Sequence, residues 1–215
     1  EFFLRLHKLP TGKKAAFLTF SGGLNGVISD IAYDVDLDLP DLHPTTYDTL
    51  SGLLGVGTCI GNPLDTGWSG LSSQETYLKC IKCILDDSAV DMLAIQEELP
   101  RSNIRLDKES NLLALADIAK VHPKPISVFS MSTQGTNEYG IDFKQRCDLP
   151  FLEEIRNTVL ALKHIGNFGV AVKEMDERLC DKKSNLPSSL SKGINLIKGK
   201  NILNEWESYQ VLSQI

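Results

Sequence analysis

Short apolar runs alternate along this chain with longer segments of helical periodicity. The apolar runs predict strands at 14–19, 36–39 and 90–95, a further strand at 125–129, and a short edge element at 149–151. The periodic segments predict helices at 24–33, 44–54, 74–85, 111–120 and 152–164. Strands that alternate with helices at this spacing indicate a parallel sheet covered on both faces. We therefore predict an α/β domain.

The number of strands and a change in composition predict how the chain is organised. Five strands within residues 1–168 fit a flavodoxin-like open sheet. The segment 169–200 is polar and carries the DKKSN and PSS runs, which favours a linker. Residues 201–215 predict an amphipathic helix, too short to form a domain alone.

Bulk properties exclude several classes of partner. The net charge of −6 argues against binding to nucleic acid or to an anionic membrane. The apolar runs fall far short of the ~20 residues of a membrane span, and the first residues lack the basic start of a signal peptide. The missing initial Met suggests a fragment or a processed product.

The cysteines point to a reducing compartment. Five are scattered without a paired pattern, which suits a cytoplasmic protein. Cys80 and Cys83 match C-x-x-C, but they lie inside a predicted helix, and no second pair or nearby histidine completes a metal set. Two partly buried structural thiols are the favoured interpretation, and we predict no metal site.

Two glycine-rich loops follow predicted strands. In the first, Ser21, Gly22 and Gly23 open a helix, whose N-terminal amides suit phosphate. In the second, Asn62 precedes a proline, and Asp65 is able to accept hydrogen bonds from neighbouring loop amides. Each loop also has a purely structural interpretation. The first would serve tight packing, and the second would be a rigid Asx/Pro turn.

The order of these motifs resembles the NDP-forming acyl-CoA synthetases, the superfamily that includes succinyl-CoA synthetase. In the family, a strand leads into the motif T-N-[AS]-G-G, and the helix that follows ends in Asp. Residues 19–23 (TFSGG) and Asp30 resemble this pattern. Residues 61–65 (GNPLD) match its G-N-P-[VL]-D motif, and residues 87–93 match the strand that follows. The segment 149–162 is similar to the family's "iPvyrtpeeAv-aLa", and residues 203–212 to the opening of its ATP-grasp domain.

The resemblance implies the second CoA-ligase domain of an enzyme that makes acyl-CoA from an acid, CoA and ATP. The family reaction passes through an acyl phosphate and a phosphohistidine. Ser21, Gly22 and Gly23 would lie beside that phosphate, and Asn62 and Asp65 would shape the same pocket edge. CoA and ATP/Mg would be bound mainly by a CoA-binding Rossmann domain and an ATP-grasp domain as partners, and a homo-oligomer is possible.

Departures from the family pattern leave a second interpretation open. Phe20 stands where the family commonly has Asn, and residues 99–101 (LPR) follow the strand where succinyl-CoA synthetases carry a Gly-Gly turn. None of the histidines at 7, 43, 122 and 164 lies in a phosphohistidine motif, so surface or helix-end positions are predicted for them. No residue is therefore assigned as catalytic. The alternative is a diverged, non-catalytic binding or regulatory module of the same fold.

Overall fold

The structure, a computed structural model, describes residues 6, 8–102, 106–131, 137–184 and 204–212. The chain divides into two compact units, Glu1–Val170 and Ala171–Ile215. The first unit contains the whole sheet, and the described helix Glu205–Leu212 belongs to the second. No helix among the described residues is long and apolar enough to cross a membrane.

A five-stranded parallel sheet forms the centre of the first unit. Its strands are β1 (Ala15–Thr19), β2 (Leu64–Asp65), β3 (Met92–Gln96), β4 (Ile126–Ser130) and β5 (Phe151–Glu153). Their order is β2-β1-β3-β4-β5, and every neighbouring pair is parallel. This order is the flavodoxin-like one, so the predicted fold class is confirmed.

Helices cover the two faces of the sheet. They are α1 (Gly22–Asp34), α2 (Pro44–Leu53), α3 (Gly67–Ser72), α4 (Gln74–Asp86), α5 (Leu106–Val121), α6 (Glu138–Cys147), α7 (Ile155–Ser184) and α8 (Glu205–Leu212). Side chains cap several helix starts, among them His43 before α2, Ser73 before α4 and Asn137 before α6. Each cap satisfies one of the backbone amides that a helix start leaves without a partner.

Two hydrophobic clusters lie on opposite faces of the sheet, because alternate strand residues point to opposite sides. Ala16 and Leu18 of β1 join the cluster formed with α2, α4, α5 and α6. Ala15 and Phe17 join the cluster formed with α1 and α7. All five residues of β1 are buried, which explains why its sequence is a continuous apolar run rather than an alternating one.

The strand predicted at 36–39 is wrong. Asp36 adopts a left-handed conformation with φ 56° as the chain leaves α1. The backbone N–H of Ala15 then donates to the carbonyl of Asp38 at 2.9 Å, and the segment forms no strand. The neighbour of β1 at this edge is instead β2, two residues inside the second glycine-rich loop.

Several helices differ from the prediction in existence or length. Neither α3 nor α6 was predicted, and α5 begins at Leu106 rather than at residue 111. The helix predicted at 152–164 is α7, which runs from Ile155 to Ser184 and so enters the segment predicted as linker. Helix α8 lies within the predicted C-terminal helix. The linker and the ATP-grasp assignment stay predictions.

Lysines from distant parts of the chain bind the C-terminal ends of three helices. Lys8 donates through Nζ to the carbonyls of Ala119 and Lys120 at the end of α5. Lys124 donates to Leu85 and Asp87 at the end of α4, each at 2.6 Å. Lys163 donates to the carbonyl of Val35, directly after α1. A positive charge at each C-terminus complements the helix dipole.

Candidate functional site

The candidate site lies at the carboxyl edge of the sheet, between β1 and β3. The strand order reverses there, because the chain leaves β1 toward β2 on one side and later returns to β3 on the other. Loops after neighbouring strands diverge at such a point and leave a crevice, where open α/β sheets bind ligands. The first glycine-rich loop follows β1 directly, at this position.

The loop after β1 exposes the start of α1. Ser21, Gly22 and Gly23 are all exposed, and Ser21 is the N-cap residue without a capping hydrogen bond from its side chain. Within the described part of the chain, no acceptor binds the backbone N–H groups of Gly22 and Gly23. The first turn carries no acidic residue. A helix start of this kind attracts an anion.

Asp65 lies against this loop from the neighbouring strand. It is the last residue of β2 and is 6% exposed. A Cβ placed on Gly22 would lie 3.3 Å from Asp65 Oδ2, so the carboxylate touches the start of α1. Asp65 Oδ1 accepts a hydrogen bond from Gly67 N at 2.8 Å, which confirms that Asp65 fixes a neighbouring loop amide. The two glycine-rich loops therefore meet at Gly22 and Asp65.

A buried polar network holds the two loops together. Thr19 Oγ1 donates to Asn25 Oδ1 at 2.6 Å, and Asn25 Nδ2 donates to the carbonyl of Pro63 at 2.8 Å. Thr66 donates to the carbonyl of Thr19 through its backbone N–H and its hydroxyl. The end of β1, the first turn of α1 and the second loop are thereby tied into one rigid piece.

Asn62 lies farther back, along the outer side of β1. Its Oδ1 accepts from Phe17 N at 3.0 Å, and its Nδ2 donates to the carbonyls of Ala15 at 2.8 Å and Pro40 at 3.1 Å. The amide of Asn62 is thus engaged by backbone groups, away from the start of α1. Its predicted place at the pocket edge stays a prediction.

A cleft of about 240 Å³ opens on the other side of the β1 loop. Its wall includes Phe20 and Leu71, and its floor includes Gln96, the last residue of β3. Gln96 Oε1 accepts from Phe20 N at 3.0 Å, which fixes the backbone where β1 ends. The Phe20 ring stacks on the buried ring of Tyr77, with centroids 5.9 Å apart and planes at 27°.

Glu97 brings a buried acid into this cleft. It follows β3, is 6% exposed, and faces the hydroxyl of Tyr77. Burial raises the pKa of Glu97 to about 7, although Lys108 and Tyr77 act in the opposite direction. Burial and the nearby Glu97 raise the pKa of Tyr77 well above its usual value. Glu97 is therefore the described acid that exchanges a proton near neutral pH, and the sequence analysis missed it.

The described histidines, together with Cys80 and Cys83, lie at positions that indicate structural roles. Three of the four histidines fall at surface or helix-end positions, as predicted: His43 caps α2, His122 lies just past α5, and His164 is exposed. The fourth, His7, lies outside the described residues. Cys83 is partly buried, as predicted, whereas Cys80 is fully buried, and burial raises the pKa of both thiols. In the part of the chain described, no group of three His, Cys, Asp or Glu side chains is arranged to hold a metal.

Part of the chain is similar in sequence to a known synthase. The sequence is 37% identical over 90 residues to a trans-feruloyl-CoA synthase from an unknown prokaryotic organism. Over these residues the chain is similar to one part of that synthase. The matched region covers 42% of the chain but only 13% of that synthase, so the relationship concerns one part of a much longer enzyme. No protein-family model matches the chain.

Solved structures share the fold of this chain. The chain superposes on a protein of Pyrococcus horikoshii OT3 with a TM-score of 0.59 and 22% identity. It superposes on an acetyl-coenzyme A synthetase of Ca. Korarchaeum cryptofilum with a TM-score of 0.57 and 16% identity. The same enzyme, in complex with phosphate and ADP, gives 0.56. In each case 76% of the chain is covered, against 38% or 34% of the other protein.

Proposed function

We propose that the chain acts as the CoA-ligase domain of an NDP-forming acyl-CoA synthetase and stabilises a phosphorylated histidine at the start of α1. The observation that carries the proposal is the exposed, uncapped N-terminus of α1 at the switch point of the sheet. Its free amides supply an anion site without any positively charged side chain. CoA and ATP/Mg would be bound mainly by a CoA-binding Rossmann domain and an ATP-grasp domain.

The proposed reaction has three steps. ATP phosphorylates a histidine of a partner domain and leaves ADP. The carboxylate of the acid then attacks that phosphorus, which releases the histidine and forms an acyl phosphate. The thiol of CoA finally attacks the acyl carbonyl and expels inorganic phosphate. The amides of Gly22 and Gly23 would hold the phosphoryl oxygens, which carry negative charge through the transfer steps.

Asp65 gives the site a mixed charge that suits a phosphohistidine. Its carboxylate lies at the same helix start that attracts phosphate. Alone, this carboxylate would repel an anion, whereas an imidazole ring presents an N–H group as a hydrogen-bond donor. The pairing of amides with a carboxylate therefore favours a phosphorylated imidazole over free phosphate.

The proposal is tested in the synthetase assembled with its partner domains, by introducing a negative charge at the start of α1. Ser21→Asp should repel the phosphoryl group and lower kcat for acyl-CoA formation by roughly 100-fold, whereas Ser21→Ala should cost about 10-fold or less. Ser29→Asp is the matched control, because Ser29 is exposed on the same helix two turns away. Wild-type turnover in Ser21→Asp would refute the proposed anion site.

A second candidate is a binding or regulatory module of the same fold that does not catalyse the reaction. Phe20 favours it, because a phenyl ring beside the β1 loop offers no polar contact to a reacting group. The mass of the native gene product, measured by immunoblotting a cell extract, separates the two. A band several domains larger indicates a fused synthetase, whereas a band of 23.7 kDa favours the free-standing module.

A further inference from the structure

Helix α3 and the loop before β2 present apolar side chains to solvent. Val56 is fully exposed, and Trp68 and Leu71 are 78% and 53% exposed. Trp68 and Leu71 are three residues apart on α3, so they lie on the same side of it. Gly55 N, next to Val56, donates to the Oγ of Ser69, next to Trp68, at 3.2 Å. The three apolar side chains therefore form one surface, which we call the α3 patch.

The α3 patch lies in a segment that is nearly free of charge. Charged residues make up 23% of the chain, but between residues 49 and 73 the one charged side chain is that of Asp65, which is 6% exposed. The core of a protein–protein interface is depleted of charged residues and enriched in aromatic ones. Tryptophan is also prominent among the residues that contribute most to binding. An exposed Trp68 in an uncharged surface is therefore typical of a docking surface.

The α3 patch is fixed rigidly to the start of α1. Gly67 precedes Trp68 and donates through its backbone N–H to Asp65 Oδ1 at 2.8 Å. The same carboxylate touches the start of α1 at Gly22. Leu71 reaches toward that region from another side, since it lines the cleft beside the β1 loop. A protein that covers the α3 patch would therefore lie beside the proposed anion site.

We infer that the α3 patch docks the domain that carries the phosphorylated histidine. The inference rests on the proposed function, which needs an imidazole from another domain to reach the start of α1. The docking face of that domain would be apolar and uncharged beside its histidine, because a charge buried against this patch would find no partner. A second copy of this chain would also match an uncharged patch, but it brings no histidine in a phosphohistidine motif.

Hydroxyl-radical footprinting with mass spectrometry measures whether Trp68 is covered. The 215-residue chain is compared with the synthetase assembled with its partner domains. Oxidation of Trp68 should be at least about 10-fold slower in the assembly, because the core of an interface excludes water. Tyr33, which is 88% exposed near the far end of α1, is the reference side chain. Equal oxidation of Trp68 in the two samples would overturn the inference.

A photo-crosslinker at position 68 identifies the occupant. The assembled synthetase carries p-benzoylphenylalanine in place of Trp68, is incubated with ATP and irradiated, and its cross-linked peptides are identified by mass spectrometry. The phosphate acquired from ATP marks the histidine domain, and we expect the cross-linked peptides to come from that domain. Peptides from a second copy of this chain, or from a domain without the phosphorylated histidine, would refute the inference.

A charged variant tests whether docking matters for the reaction. Trp68→Glu in the assembled synthetase should lower turnover about 10-fold, because it removes a large apolar contact and places a charge in an uncharged interface. Tyr33→Glu is the matched control and should turn over as wild type. Urea unfolding of the variant chains separates loss of docking from loss of folding, and Val56→Glu replaces Trp68→Glu if the latter is less stable. Equal turnover in patch and control variants would contradict the inference.

The two proposals fail in different ways. A cross-link from position 68 to the phosphorylated domain, with full turnover in Ser21→Asp, would support the docking surface and refute the anion site. Loss of turnover in Ser21→Asp, with Trp68 oxidised equally in the chain and in the assembly, would do the reverse.

Discussion

At the scale of single residues, Glu97 is an acid whose pKa the fold moves into the neutral range. The sequence offers no sign of this, because a glutamate after a strand is common at a sheet edge. The pKa of Glu97 is raised by burial beside Tyr77, which is itself fully buried. These contacts join β3 to α4 and exist only after folding. By contrast, the Gly22–Asp65 contact was foreseeable, since the carboxyl ends of neighbouring parallel strands share one edge.

The raised pKa of Glu97 predicts a pH-dependent stability. Its folded pKa of about 7 exceeds the ordinary value of 4.5, so the folded state retains a proton that the unfolded state loses. The free energy of unfolding should therefore fall as the pH rises from 4.5 to 7, by roughly 3 kcal/mol from this group. Urea unfolding at pH 5 and pH 8 measures the change.

Substitution shows whether Glu97 is the source of that dependence. Glu97→Gln, which stays neutral, should remove most of the slope and make the protein more stable than wild type at pH 8. Glu75→Gln is the control, because Glu75 is exposed and its pKa is lowered by Lys79. It titrates below the tested range and should leave the slope unchanged. An unchanged slope in Glu97→Gln would contradict the assignment.

At the scale of elements, two glycines set how closely α7 packs on the segment before β1. A Cβ on Gly169 would lie 2.2 Å from the carbonyl oxygen of Pro10, and one on Gly166 would lie 3.2 Å from Lys13 Cα. Real side chains do not tolerate the first distance, so a larger residue at 169 must push the two backbones apart. The glycines are thus required by packing, at a cost in helix propensity.

A pair of glycine-to-alanine substitutions separates packing from propensity. Gly169→Ala should lower the free energy of unfolding by roughly 2 kcal/mol, because overpacking outweighs the gain in helix propensity. Gly26→Ala in α1 should raise it by roughly 0.5–1 kcal/mol, since nothing lies within 4 Å of its added Cβ. Urea denaturation measures both. A stabilising Gly169→Ala would show that α7 moves away freely.

The errors in the predicted elements have physical causes. Residues 36–39 alternate Asp and Leu as a strand does, but the turn at Asp36 leaves only one hydrogen bond to β1. Helix α6 is mostly polar, and only the spacing of its buried Gly140, Phe143 and Cys147 indicates a packed face. The second half of α7 is polar and shows no apolar pattern in the sequence, although helix formers fill it and its last glycine is Gly169.

At the scale of the whole molecule, the described core belongs to the first compact unit. The buried hydrophobic residues run from Leu6 to Ile165, and that unit ends at Val170. A chain cut after residue 170 should therefore unfold cooperatively, with a Tm within about 5 °C of the full chain. Differential scanning calorimetry of the two chains measures this. A non-cooperative transition would show that later residues complete the core.

The topology explains why the meeting of the two glycine-rich loops was more predictable than the cleft beside them. A strand order that reverses between β1 and β3 places every loop at that edge in one region, whatever their lengths. The two glycine-rich loops could therefore be expected to meet at this edge, while the binding roles given to their residues stay predictions. The cleft beyond Phe20 depends instead on where α3 and α5 begin, and α3 left no recognisable pattern in the sequence.

The contacts of Asn62 have a consequence for solubility. A two-residue β2 is too short to cover β1, whose outer backbone groups would otherwise invite a strand from another molecule. The Asn62 side chain occupies the N–H of Phe17 and the carbonyl of Ala15, as a neighbouring strand would. Together with the carbonyl of Asp38, which accepts from Ala15 N, this amide covers backbone groups along the outer edge of β1. Fewer of those groups are then open to a strand from another molecule.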